Sequence, residues 1–243
     1  MALIKSISGI RGTIGGNPGE NLTPLDVIRF TAAFGSWLQE KKQSHKVVIG
    51  RDGRISGQLV SNLVVSTLNA LGLNVVDLGL STTPTVELAV KWEKAAGGII
   101  ITASHNPREW NALKLLNSEG EFISAEDGAA VLEKARQEKF SFSTVEKLGT
   151  YETNDSYLQK HIDAVVNYPL VDVTSIAKKK YKVVVDAINS TGALFVPPLL
   201  KALGIEEVQV LNGEVNGRFA HNPEPLPDNL TALSAAVRKS GFD

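Results

Sequence analysis

Short apolar runs alternating with longer amphipathic ones constrain this chain most. Residues 46–50 (Lys-Val-Val-Ile-Gly), 73–78 (Leu-Asn-Val-Val-Asp-Leu) and 97–102 (Gly-Gly-Ile-Ile-Ile-Thr) read as buried strands, being short, β-branched and bounded by turn residues. Between them, residues 57–71 carry apolar side chains at helical spacing, with Leu59, Leu63, Leu68 and Leu71 as the expected inner face. Pro84 suits the first position of a helix over residues 84–93, because its missing N–H would have no partner there anyway. Residues 113–117 and 121–123 flank Ser118-Glu-Gly120 and read as a hairpin, followed by a helix over 125–136. Strand–helix alternation predicts an α/β fold with a largely parallel sheet.

The rhythm restarts after a polar stretch. Residues 137–144 are polar, and 154–166 form an amphipathic run with Tyr157, Ile162 and Val165 as expected inward residues. A strand over 181–186, a helix from Gly192 to Leu203 and a strand over 207–211 follow. A chain of 243 residues has room for one large or two medium domains. The expected division is residues 1–152 and 153–243.

Composition narrows the function classes. Apolar residues make up 43% and charged residues 21%, which supplies an ordinary soluble core. A net charge of −1 gives no broad footprint for nucleic acid or an anionic membrane. The chain has no cysteine, which excludes disulfides and thiol chemistry and fits a reducing compartment. Lys5, Arg11 and several glycines interrupt any signal-peptide core. No run approaches the ~18 apolar residues of a membrane span. The expected location is the cytoplasm.

The segment Thr102-Ala-Ser-His-Asn-Pro107 carries the chemistry. It follows the triple-isoleucine strand, and open α/β sheets hold their ligands outside the carboxyl ends of strands. Asn106 is expected to cap a helical turn that starts at Pro107, with Glu109 completing a capping box. Ser104 would then face free N–H groups and the positive end of a helix dipole, a setting for an attached phosphate. From these residues alone, the first reading of Ser104 and Asn106 is as ordinary helix caps, and of His105 as a solvated loop residue. Likewise Lys114, opposite Leu113 and Leu115 in a strand, reads as a solvent-face lysine. Arg11, between Gly9 and Gly12, reads as part of a flexible turn, and Arg51, Asp52 and Arg54 as a surface ion-pair cluster.

Residues 102–107 resemble the active-site serine loop of the α-D-phosphohexomutase superfamily. Ser8-Gly-Ile-Arg-Gly12 resembles its N-terminal arginine loop, and residues 50–57 (Gly-Arg-Asp-Gly-Arg-Ile-Ser-Gly) its GRDxRxSG motif. Residues 111–114 (Asn-Ala-Leu-Lys) resemble its N-G-x-K, with Ala112 in place of the glycine. His221-Asn-Pro-Glu-Pro225 resembles the segment before the metal loop. These matches occur in the family's order over nearly the whole chain.

The resemblance implies two consecutive α/β/α sandwich domains, the second incomplete. It implies interconversion of hexose 1-phosphate and hexose 6-phosphate through phospho-Ser104 and a hexose 1,6-bisphosphate. The implied catalytic residues are Ser104, Lys114, His105 and Arg11. Ser8, Asn106 and Arg51 are implied to bind substrate or phosphate. Mg²⁺ is the implied metal, with Ser104 contributing one ligand through its phosphate. The family's D-x-D-x-D-R metal loop is not found in residues 1–243. The chain therefore reads as part of a larger enzyme, inactive alone, whose missing C-terminal domains would be its partners. A phosphoserine-type sugar phosphatase and a non-catalytic sugar-phosphate-binding domain are the rival readings.

Overall fold

The computed structural model describes residues 3–6, 9–41 and 43–242. The chain divides into two compact units. The first contains residues 1–52, 56–103 and 109–155, and the second residues 53–55, 104–108 and 156–243.

The first unit is built on a seven-stranded sheet. In chain order its elements are β1 (Ile4–Ser6), β2 (Gly9–Thr13), α1 (Pro24–Lys41), β3 (Lys46–Arg51), α2 (Gly57–Ala70), β4 (Asn74–Leu80), α3 (Thr83–Trp92), β5 (Gly97–Ile101), β6 (Trp110–Leu116), α4 (Ala125–Gln137) and β7 (Tyr151–Thr153). The strand order is β1-β2-β6-β5-β3-β4-β7. The half around β3 is parallel, as β3 pairs with β4 and β5, and β4 with β7. The other half is antiparallel, through β1–β2, β2–β6 and β6–β5.

The expected largely parallel sheet is therefore a mixed one. The cause is β6, which follows β5 through a short loop without a crossover helix and so must return antiparallel. The expected hairpin after β6 shrinks to a turn with one antiparallel bridge, Leu116 to Phe122.

Val47, Ile49, Ile99 and Ile101 fill the centre of the core. Helix α2 packs through Val60, Val64, Leu68 and Leu71, while Leu59 is exposed. Leu68 and Leu71 are buried as expected and Leu63 packs partly against the core, but at the start of the helix the inner position is Val60 and not Leu59. Gly35 of α1 lets α2 approach, because a Cβ there would lie 2.6 Å from Leu71 Cδ1. Helix α1, not anticipated above, starts with a reciprocal cap. Asp26 accepts from the Thr23 N–H and hydroxyl, and Thr23 Oγ1 accepts from Asp26 N. Pro24 occupies the first helical position.

The second unit contains α5 (Tyr157–Val166), α6 (Val173–Lys178), β8 (Lys182–Asp186), α7 (Gly192–Ala202), β9 (Glu207–Leu211) and α8 (Thr231–Ser240). Strands β8 and β9 pair in parallel with Lys182 opposite Glu207. Tyr157 and Ile162 are buried as expected, and Val165 is half-buried. Both units are mixed α/β. No helix of the described residues is long and apolar enough to cross a membrane.

Candidate active site

Ser104 lies in the loop between β5 and β6. It is exposed and has φ of +54°, the left-handed region that non-glycine residues rarely enter. Holding a serine there costs of order 1–3 kcal/mol and needs support from its surroundings. The expected helix at Pro107 does not form: residues 104–105 and 108–109 are turns, Asn106 is a bend, and β6 begins at Trp110. The capping box of Asn106 and Glu109 and the helix dipole behind Ser104 are accordingly corrected.

The physical reason lies in Arg54. Its Nη1 donates to Pro107 O at 2.7 Å, and its Nη2 donates to Ser104 O and Asn106 O, both at 2.8 Å. The carbonyls that would start a helical ladder are turned onto a guanidinium instead. Arg54 is 2% exposed, so the surface ion-pair reading fails for it. The guanidinium lies over the Phe219 ring, with Cζ 5.1 Å from its centroid.

His105 is exposed, with Nε2 3.4 Å from Glu224 Oε2. Nearby in the chain, His221 Nε2 lies 2.9 Å from Asp186 Oδ2, and its Nδ1 2.8 Å from Asn222 O. Burial opposes charge on His221, but the carbonyl and the carboxylate together raise its pKa above the usual histidine value. Burial likewise opposes the Asp186 carboxylate, yet bonds from Asn212, His221 and the Ile188 N–H hold its pKa below the usual range.

The first unit carries the implied basic residues. Arg11 on β2 is paired with Ala112 on β6, and Lys114 is two residues along from Ala112. Directly paired residues share a sheet face and alternate residues repeat it, so Arg11 and Lys114 stand on the same face. Lys114 is half-buried. Desolvation lowers its pKa; Glu87 and Asp52 pull it back up, and Arg11 adds to the lowering. Glu87, on α3, has its own pKa raised by desolvation, with Lys114 working against that rise. A half-buried amine coupled electrostatically to a half-buried carboxyl, each with its pKa moved toward neutrality, suits proton transfer.

The residues around position 52 brace the strands that flank the serine loop. Asp52 Oδ2 accepts from Thr102 Oγ1 at 2.6 Å, and Asp52 N donates to Ile101 O at 3.1 Å. Ser56 Oγ accepts from the Asn111 side-chain amide at 2.9 Å, and Asn111 Oδ1 accepts from Ala112 N. Arg51 bonds Gln58 Oε1 at 2.9 Å and the carbonyl of Asp52. Ser8 lies outside the described residues.

Ser104, His105 and Asn106 thus cluster with the second unit, and Arg11, Arg51 and Lys114 with the first. The sequence reading missed Glu87 and Phe219, neither of which has a local signal, and Glu224 was legible only through the segment 221–225 that contains it. Arg54 was legible only through the motif that contains it.

Among the described residues no group of three or more His, Asp or Glu side chains is placed to hold a metal ion. They do not supply the carboxylates that the implied Mg²⁺ needs, and no chemical step is derived through it.

Fold and site together define an α/β protein with a serine held in strained backbone beside a guanidinium. Residues 3–142 match the phosphoglucomutase/phosphomannomutase α/β/α domain I, and residues 159–243 match domain II of the same family. The chain belongs to the phosphoglucomutase/phosphomannomutase family, within the phosphohexomutase superfamily. It is 37% identical over 236 residues to a phosphoglucomutase/phosphomannomutase of Thermococcus kodakarensis, covering 96% of this chain and 51% of that protein. It is 31% identical over 245 residues to a phosphoglucosamine/phosphogalactosamine mutase of Sulfurisphaera tokodaii, covering 100% of this chain and 52% of the relative. A phosphoglucomutase/phosphomannomutase family protein of Burkholderia thailandensis has a similar solved structure, with TM-score 0.82 and 27% identity over 99% of this chain and 52% of that one. The chain spans about half the length of the curated relatives it matches.

Proposed function

We propose that this chain carries the phosphoserine of a phosphohexomutase, with residues 1–152 and 153–243 as its first and second domains. The observation that carries the reading is Ser104 itself: an exposed serine in left-handed backbone, inside the segment that matches the family's first domain.

Phospho-Ser104 passes its phosphoryl group to the free hydroxyl of a hexose monophosphate. The P–O bond to the serine breaks, a P–O bond to the sugar forms, and the hydroxyl proton leaves. The resulting hexose 1,6-bisphosphate reorients and returns its other phosphoryl group to Ser104. Lys114, with its pKa lowered by burial, suits the proton movement. Arg11 suits phosphate oxygens through its planar fork. His105 is an additional proton carrier, and Ser8, Asn106 and Arg51 bind phosphate or sugar. The relatives' names support glucose, mannose, glucosamine or galactosamine phosphates as the substrate class. Full isomerase turnover by residues 1–243 alone is expected to be negligible, so the half-reaction is the proper test.

Incubation with glucose 1,6-bisphosphate followed by intact-mass and fragment analysis tests the reading. One phosphoryl group on Ser104, transferable to glucose 1-phosphate and absent in Ser104→Ala, is expected. A phosphoryl group that is released only to water would favour a phosphatase. Uptake by Ser104→Ala equal to the parent's would refute the assignment.

A further inference from the structure

We propose that Arg54 is the positioning residue of the serine loop, holding Ser104 in its left-handed conformation from beneath. For its role in phosphoryl transfer this rests on the reading of Ser104 as the carrier.

Three backbone carbonyls, those of Ser104, Asn106 and Pro107, converge on one guanidinium. A loop whose carbonyls are tied to one point cannot change the dihedral angles between those carbonyls independently. The Ser104 carbonyl is the first of the three, so the tie fixes the peptide plane that follows the serine, the one residue of the 104–108 segment with positive φ. The arginine fork directs several N–H groups in fixed directions, whereas a lysine ammonium is a single rotatable point.

The guanidinium is itself fixed. The Phe219 ring stacks over it at 5.1 Å. Gly217 brings that segment close, since a Cβ there would lie 2.2 Å from Gly53 O, and its φ of +69° suits glycine. Gly53 N also donates to Ser190 Oγ at 3.0 Å. On the other side of Arg54 in sequence, the same Cβ at Gly217 would lie 2.8 Å from Ile55 N, so both neighbours of Arg54 are closely packed and the Phe219 ring lies against its guanidinium.

Burying a guanidinium to stabilise a fold is a poor bargain, because desolvation offsets most of the gain. Three of its bonds go to a short exposed loop, so the geometry of that loop depends on it. A merely structural arginine would protect the whole unit evenly. A positioning arginine controls residues 104–107 specifically, and lysine cannot replace it although the charge is kept.

The test uses Arg54→Lys and Phe219→Leu in this chain, with hydrogen exchange read by mass spectrometry. In Arg54→Lys, amides of residues 104–109 are expected to exchange at least tenfold faster, with those of β8 and β9 unchanged. Phosphorylation of Ser104 by glucose 1,6-bisphosphate should slow at least tenfold at saturation, with little change in half-saturating concentration. Unchanged loop exchange overturns the proposal, and so does acceleration spread equally over β8 and β9. If Arg54→Lys fails to fold, Phe219→Leu decides on the same criteria. If the parent takes up no phosphoryl group, the mutase reading fails, while the exchange data still judge the role of Arg54.

Discussion

His221 presents both ring nitrogens to acceptors, Nε2 to the Asp186 carboxylate at 2.9 Å and Nδ1 to the Asn222 carbonyl at 2.8 Å. Only the doubly protonated ring satisfies both at once. The folded-state pKa of His221 is raised, so its contribution is fully present below the unfolded value of about 6.5 and fades as pH rises through the folded value. The pKa of Asp186 is depressed, so its contribution is present above about 3.9 and fades as pH falls through the folded value. The pair therefore contributes most between about pH 4 and 6.5. Thermal melts of the parent should decline from pH 6 to pH 8.5, and His221→Asn should flatten that slope. An NMR titration midpoint for His221 at or below 6.5 would contradict the argument.

Ser104 gives a direct measure of backbone strain. A left-handed φ of +54° penalises any Cβ and suits glycine. Ser104→Gly is therefore expected to be more stable than Ser104→Ala by about 1 kcal/mol, although glycine has the more flexible unfolded chain. Urea unfolding of the two variants checks this. Equal midpoints would mean that the loop relaxes out of the left-handed region once the hydroxyl is gone.

The parts of the fold legible in sequence are those dictated by neighbouring residues. Runs such as Val47 to Ile49 and Ile99 to Ile101 announce buried strands, because short β-branched stretches bury well on both faces. Pairing direction was not legible, since β6 owes its antiparallel partners to contacts distant in the chain. Strand β2 has Ile10 and Thr13 but also two glycines and an arginine, so its strand propensity is weak and its neighbours define it. The loop at Asn106-Pro107 shows the same limit. Locally it reads as a helix start, and an arginine about fifty positions earlier takes its carbonyls away.

Asp26 is fully buried and receives bonds from Gly19 N, Thr23 N and the Thr23 hydroxyl. Its removal deletes the cap of α1 and leaves those donors without an acceptor. Asp26→Ala is expected to cost about 2–3 kcal/mol, the sum of a lost cap and buried unsatisfied N–H groups. Asp26→Asn, which keeps an acceptor oxygen, should cost about half as much. Calorimetric melting of both variants measures the difference, and equal losses would show that charge rather than capping matters at this position.

Lys114 separates stability from chemistry. Desolvation lowers the pKa of its half-buried amine, and Glu87 opposite has a raised one. Lys114→Met keeps the stem's packing while removing the amine and the cation that draws the Glu87 pKa down. The Glu87 pKa should then rise further, visible as an upward move in its carboxyl titration by NMR. Melting temperature should change little, because the variant relieves a desolvated charge. Phosphoryl transfer from Ser104 to glucose 1-phosphate should fall by about 10²–10³-fold, the scale of losing a proton carrier or an electrostatic partner. Glu87→Gln provides the control, since it removes the carboxyl but leaves the amine. It should slow transfer by less than tenfold and lower the Lys114 pKa, shifting the alkaline limb of the rate profile to lower pH. Transfer in Lys114→Met at the parent rate would remove Lys114 from the proposed chemistry.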